Sequence, residues 1–240
     1  TPRDVMVSDS AREGGLGVAF GLHKALDMLG SALGILLAWM LVKSAAAGQV
    51  DYKKVFLYSL VPAALSLAMF FFIREKRRAV PAENRERFWK NYFKLPGPLK
   101  FYLLVAFLFT LGNSSNAFLL LRARSVGYDD VSVILLYFAY NLTASLLAFP
   151  FGRLSDRLGR KRLLIAGYLV FGLVYLGFGF TQSKTALLFF FILYGLYTAM
   201  TAGVERALIA EISPPELKGT LLGLHSTLVG VALLPASAIF

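Results

Sequence analysis

One carboxylate stands among five cations in the run Gly152-Arg153-Leu154-Ser155-Asp156-Arg157-Leu158-Gly159-Arg160-Lys161-Arg162. Two apolar runs without a single charge, Val131–Phe151 and Leu163–Ser183, flank it. The acid stands alone among these cations, on a turn too short to hide it. Arg157, Arg160 and Lys161 can bind carbonyl ends, phosphates or neighbouring acids, while Gly152 and Gly159 permit a tight turn and close backbone approach. The chemistry on offer is a polar contact that can make and break; the plainer alternative is a solvated basic loop.

Two further groups are placed where polar atoms are costly. His23, Lys24 and Asp27 share one helix face by spacing, and Asp27 is the single acid inside any predicted span. Asp27 can carry a proton, its affinity set by burial and by Lys24, or simply form an ion pair with Lys24. Gly112 followed by Asn113, Ser114, Ser115 and Asn116 interrupts an apolar run near its centre. Such a stretch predicts a locally loosened helix lining water or substrate, or else amides that bridge packed helices. Tyr137 and Asn141 lie one turn apart on the next run with Tyr140 beside them, and Tyr194 and Tyr197 add hydroxyls further on.

Other chemistries are excluded or disfavoured. The chain has no cysteine, and its two histidines, His23 and His225, stand 202 residues apart, so no metal site and no cofactor is expected. No G-x-x-x-x-G-K-[ST] loop is present to bind ATP phosphates. A membrane-embedded enzyme would need clustered histidines and acids that the sequence does not supply.

The elements that must hold these residues are helices in lipid. The chain is 57% hydrophobic and 16% charged, far below the quarter or so of charged residues in soluble domains. Crossing a hydrocarbon core takes about 20 apolar residues as helix. Six runs qualify, Val55–Ile73, Phe101–Leu121, Val131–Gly152, Leu163–Ser183, Thr185–Val204 and Gly219–Phe240, and a seventh over about 18–42 qualifies if its first turns carry Lys24 and Asp27. None alternates with the period of a barrel strand. Residues 1–17 lack the apolar core of a signal peptide.

The net charge of +11 has an address. Alternating spans place the first residues, the basic segment 74–100, the 152–162 turn and the 206–218 loop on one side, and with Lys24 at the start of the first span that side holds 19 of the 25 lysines and arginines. Such a bias marks cytoplasmic loops, so the basicity is topogenic and predicts no nucleic-acid partner. The chain also repeats: Gly17-x-x-x-Gly21-Leu22-His23 recurs as Gly219-x-x-x-Gly223-Leu224-His225. At the same offset Asp9 aligns with Glu211 and Val7 with Ile209. A repeat of this length predicts two related helical bundles. Gly-x-x-x-Gly spacing at Gly17/Gly21, Gly30/Gly34 and Gly219/Gly223 predicts close helix packing where the bundles meet.

The order G-x-L-x-D-R-x-G-R-K-R resembles the signature loop of the major facilitator superfamily (MFS) of secondary transporters. The resemblance covers essentially the whole chain. It implies an all-α membrane protein built of MFS-type helical bundles, with about seven transmembrane helices of an expected twelve, numbers five to eleven. Residues 1–73 would then end the N-terminal bundle with spans at about 18–42 and 55–73, and 74–98 would be a basic cytoplasmic linker. Residues 99–240 would form most of the C-terminal bundle. Within the linker, Phe88–Phe93 reads as an interfacial stretch or as plain linker.

The resemblance further implies that Asp156 latches onto the start of the first span near Gly17–Phe20 and lets go when the carrier opens inward. It implies a central cavity lined by the helix that carries Asn113 and Asn116. The function so implied is alternating-access transport of a small solute, driven by a proton or solute gradient, by a monomer in a membrane of bacterial inner-membrane type. The 74–98 and 152–162 segments would face the cytoplasm. A non-transporting sensor on the same scaffold is the competing reading.

Overall fold

The computed structural model describes residues 2–44, 52–72, 97–113, 115–215 and 217–239. Among the described residues every regular element is a helix: α1 (Pro2–Ser10), α2 (Leu16–Ser44), α3 (Tyr52–Phe70), α4 (Gly97–Leu111), α5 (Asn116–Ser125), α6 (Asp130–Leu158), α7 (Arg160–Phe180), α8 (Lys184–Ile212) and α9 (Lys218–Ile239). The expected interfacial stretch Phe88–Phe93, nearly all of the expected linker, and Ser114 lie outside the described residues.

Six helices among the described residues are long and apolar enough to cross a membrane, against the seven expected. The second expected span is represented by the shorter apolar helix Phe56–Met69 within α3. At 1.5 Å per residue that apolar length covers only about 20 Å. Every side chain described on α3 is exposed.

The elements outrun their apolar runs. α6 reaches Leu158 and α8 reaches Ile212, 29 residues each, because backbone hydrogen bonding continues past the last apolar position. The 152–162 segment, expected as a tight Gly-bounded turn, is even tighter than that. Residues 152–158 form the last turns of α6, Gly159 alone makes the corner at φ 93°, and α7 begins at Arg160. That left-handed φ costs a side-chain-bearing residue roughly 1 kcal/mol and costs glycine nothing. Side chains cap the starts: Asp129 accepts from Ser132 N at the head of α6, and Ser183 accepts from Ala186 N at the head of α8. Hydrogen bonding to Ser132 holds the Asp129 carboxyl below its usual range.

Three apolar clusters form the core, the smallest joining Phe20 of α2 to Ala207 and Ala210 of α8. Another joins Leu99, Leu103 and Ala106 of α4 to Leu163, Met200, Val204, Ile209 and Leu221 of α7, α8 and α9. The third joins Leu119, Val133, Leu136, Phe171, Val174, Leu187 and Phe191 of α5 to α8. Large apolar side chains also cover the outside, Phe101, Leu104, Leu169, Leu173 and Phe180 among them. An apolar exterior is what lipid, not water, accepts as solvent.

α2 lies across α6 and α8 on a seam of glycines. A Cβ on Gly21 would meet Ala148 O at 2.8 Å and Gly152 Cα at 2.9 Å, and one on Gly203 would meet Phe20 O at 3.0 Å. Gly17 is likewise pressed on Gly152 O and Ser155 Oγ. Cβ atoms on Gly17 and Gly21 would have no room, and one on Gly219 would meet Val5 Cγ2 at 3.1 Å. Cβ atoms on Gly30, Gly34 and Gly223 would meet nothing within 4 Å among the described residues, against the close packing expected there. Gly30 stands thirteen residues after Gly17, about 220° around a 3.6-residue helix, so it points away from the seam.

Candidate functional site

At one end of the seam, Asp156 reaches from α6 to the head of α2. Gly17 N donates to its Oδ1 at 2.9 Å and Val18 N donates to its Oδ2 at 2.9 Å. Both N–H groups belong to the first turn of α2, where no intrahelical acceptor exists. The carboxylate thus caps a helix 138 residues away and sits at the positive end of its dipole. Arg160 Nη2 donates to Asp156 Oδ1 at 2.7 Å, and Arg160 Nη1 also bonds Glu211 of α8. Asp156 and Arg160 are 10% and 7% exposed, so little solvent screens the pair. Arg157 and Lys161, expected to bind carbonyl ends, phosphates or neighbouring acids, are exposed. Arg157 follows Asp156 by one residue, about 100° around α6, and Lys161 lies past the Gly159 corner in α7.

A second ion pair crosses the repeat. Arg206 Nη1 of α8 donates to Asp4 Oδ1 of α1 at 3.3 Å, and Asp4 is 2% exposed.

Lys24 and Asp27 pair on α2: Lys24 Nζ donates to Asp27 Oδ2 at 3.1 Å. Asp27 is 43% exposed, so of its two expected roles the geometry displays the ion pair.

The polar interruption after α4 does break the helix. α4 stops at Leu111, and α5 restarts at Asn116 with Ser115 as its cap, its side chain accepting from Ala117 N. Both amides then reach other helices. Tyr175 OH donates to Asn113 Oδ1 at 3.1 Å, Asn113 Nδ2 donates to Tyr197 OH at 3.5 Å, and Tyr194 OH donates to Asn116 Oδ1 at 3.0 Å. Tyr137 and Asn141 form a separate turn of α6, where Asn141 Nδ2 donates to Tyr137 O at 2.8 Å. The two groups connect through rings: Tyr137 stacks on Tyr140, and Tyr140 packs on Tyr194 with centroids 5.0 Å apart. The result is a belt of uncharged donors, acceptors and ring faces.

One group escapes sequence reasoning. Glu205 stands inside the membrane-crossing helix Lys184–Ile212, so Asp27 is not the only acid within a span. Tyr168 OH of α7 donates to Glu205 Oε1 at 2.9 Å, and His225 Nε2 of α9 stands 3.9 Å from Oε2. The sequence carried a signal for it: Tyr194, Tyr197, Thr201 and Glu205 follow at three and four residues, one polar stripe on an apolar helix. A span closed at its first charge hides that stripe's end. Among the described residues no three His, Cys, Asp or Glu side chains cluster as metal ligands.

The family profile described as Major Facilitator Superfamily matches residues 102–239. An uncharacterized MFS-type transporter of Methanocaldococcus jannaschii is 35% identical, over 99% of this chain and 60% of that protein. A facilitated glucose transporter (solute carrier family 2, member 2) of Gallus gallus is 30% identical, over 47% of this chain and 23% of its own length. An arabinose-proton symporter of Bacillus subtilis is 30% identical, over 34% of this chain and 18% of its own length. The chain thus spans at most 60% of the length of these relatives. No solved structure matches. With a profile matched across α4 to α9 and helices built to live in lipid, the chain belongs to the Major Facilitator Superfamily as an integral membrane protein.

Proposed function

We propose that this chain belongs to a secondary carrier that moves a small neutral solute by alternating access, coupled to protons. The observation that carries the reading is the Asp156 contact with Gly17 N and Val18 N. It joins the two repeat-bearing halves by bonds worth a few kcal/mol, strong enough to hold one state and weak enough to break in each cycle. The seam beside it is backbone on backbone, a smooth surface on which α2 can rock against α6 and α8.

The solute class rests on the uncharged Asn113, Asn116, Tyr194 and Tyr197 belt, and on two relatives named for glucose and arabinose transport. Gly17, Gly21, Gly152 and Gly203 form the moving surface, and Lys24 with Asp27 forms a structural pair. The 74–98 segment and the Gly159 corner face the cytoplasm, and the carrier acts as a monomer. No ATP-binding loop is present, so a gradient supplies the work.

The test is uptake of labelled L-arabinose and D-glucose into proteoliposomes holding the full-length protein, with and without an imposed pH gradient. Gradient-dependent accumulation supports the carrier. Specific binding of either sugar without any flux would favour the sensor reading. Labelling of Arg162→Cys by an impermeant thiol reagent applied outside intact cells would overturn the assigned orientation.

A further inference from the structure

Glu205 sits where four helices converge, and the groups around it are unevenly satisfied. Oε1 accepts from Tyr168 OH of α7 at 2.9 Å. On the other flank His225 of α9, 8% exposed, holds Nε2 at 3.9 Å from Oε2, and that nitrogen is buried with no hydrogen-bond partner among the described residues. Tyr102 of α4 stacks on the His225 ring at 6.1 Å, and its buried hydroxyl likewise has no partner among them. Two orphaned polar atoms on two helices beside one carboxylate is an unusual arrangement, because each costs about 1–3 kcal/mol unless something completes it.

A proton completes it. With Glu205 ionised and His225 neutral, the pair carries one negative charge. Uptake of one proton brings it to zero, and the new O–H on Oε2, or the new N–H on Nε2, makes the hydrogen bond that the 3.9 Å gap lacks after a small side-chain shift. A metal cation fits poorly, since hard cations gather six or more oxygens and this position offers one carboxylate and two phenols. The other charged groups near the pair are Arg206 of α8 and Asp4 of α1, which are bound to each other. Among the described residues no arginine or lysine stands within ion-pair distance of Glu205, whose carboxylate faces Tyr168 and His225.

Position gives the proton a use. Along α8, Glu205 lies about 12 Å below Tyr197 of the Asn–Tyr belt and about 9 Å above Glu211, which bonds the latch residue Arg160. Phe109 packs on both Tyr168 and Tyr197, so the two polar levels share one wall.

We propose that Glu205, with His225 and Tyr168, is a proton-binding site of this protein and the coupling group of the carrier, a role Asp27 does not fill. The coupling half rests on the carrier reading above; the proton site itself does not. The direct test is infrared difference spectroscopy of the full-length protein, purified in detergent and stepped from mildly acidic to mildly alkaline buffer. A carboxylic-acid C=O band is expected to vanish on the alkaline step, to be missing in Glu205→Gln and to persist in Asp27→Asn. In Tyr168→Phe the band is expected at higher frequency, because its C=O loses a donor. A band of full size in Glu205→Gln overturns the proposal. Should that variant fail to fold, an unmoved band in Tyr168→Phe overturns it equally.

In proteoliposomes, Glu205→Gln is expected to lose L-arabinose accumulation driven by a pH gradient and to keep exchange of L-arabinose across the membrane. Intact gradient-driven accumulation in that variant overturns the coupling role. Absence of any sugar flux in the unmodified protein, together with a band lost in Glu205→Gln, refutes the sugar-carrier reading and upholds the proton site.

Discussion

Asp4 and Arg206 occupy the same position in the two copies of the repeat, 202 residues apart, and they bond each other at 3.3 Å. A residue that touches its own repeat equivalent lies on the axis relating the copies. Nature has placed opposite charges at that crossing, on α1 and on α8, with the acid almost fully buried. Since a lone buried charge is far more costly than a buried pair, each member depends on the other.

Removing one partner should therefore cost more than exchanging both. Asp4→Ala is expected to lower stability by about 2–4 kcal/mol. The double swap Asp4→Arg with Arg206→Asp should recover at least half of that loss. Thermal unfolding of the purified protein in detergent, arranged as a double-mutant cycle, measures both; additive losses would show that the two side chains are not coupled.

Asp156→Asn keeps the shape of the latch and discards its charge. The amide oxygen can accept only one of the two N–H groups that Asp156 Oδ1 and Oδ2 now satisfy, and Arg160 loses its close partner. A weakening of about 2 kcal/mol is expected, with the protein shifted toward the state in which α2 has parted from α6. Ser155→Cys, buried beneath the contact, should become more reactive to a thiol reagent in that background. Unchanged reactivity would show that Asp156 does not hold the two helices together.

The glycine seam makes a sharp contrast available within one helix. Gly21→Ala drives a methyl into Ala148 O and Gly152 Cα and is expected to destabilise by about 1–3 kcal/mol. Gly30→Ala, on the same helix with open space around it, is expected to be neutral or to stabilise by up to about 1 kcal/mol. Equal effects from the two would refute the assigned face of α2.

Within the Asn–Tyr belt, the partners of each amide set the expected consequence. Asn116→Ala deprives Tyr194 of its acceptor and opens a polar gap between α5 and α8, so sugar flux should fall at least about tenfold. Asn141→Ala removes a bond within a single turn of α6 and should cost stability before it costs transport. Flux and thermal unfolding recorded on the same two variants separate these outcomes.

Much of this molecule can be read along the chain. The apolar runs declare helices in lipid because no other element satisfies its own backbone there, and five of them match long helices almost run for run. The Gly152–Arg162 order marks the polar segment, and the resemblance it carries implies a receiving end near Gly17–Phe20. What composition cannot say is how far hydrogen bonding carries a helix past its last apolar residue. α6 and α8 both continue into charged sequence, which turns an expected loop into helix and brings Glu205 inside the bundle.

Spacing determined that Gly17 and Gly21 share a face, and that Asn113 and Asn116 interrupt a span. Only the packed structure decided which glycines meet a neighbour, because a helix face gains meaning when another helix lies on it. Only packing could pair Asn113 with Tyr175 and Tyr197, 62 and 84 residues onward, or leave His225 facing Glu205 with its nitrogen unmet. A polar side chain in lipid must find a partner, and its sequence states that need without naming the helix that answers it.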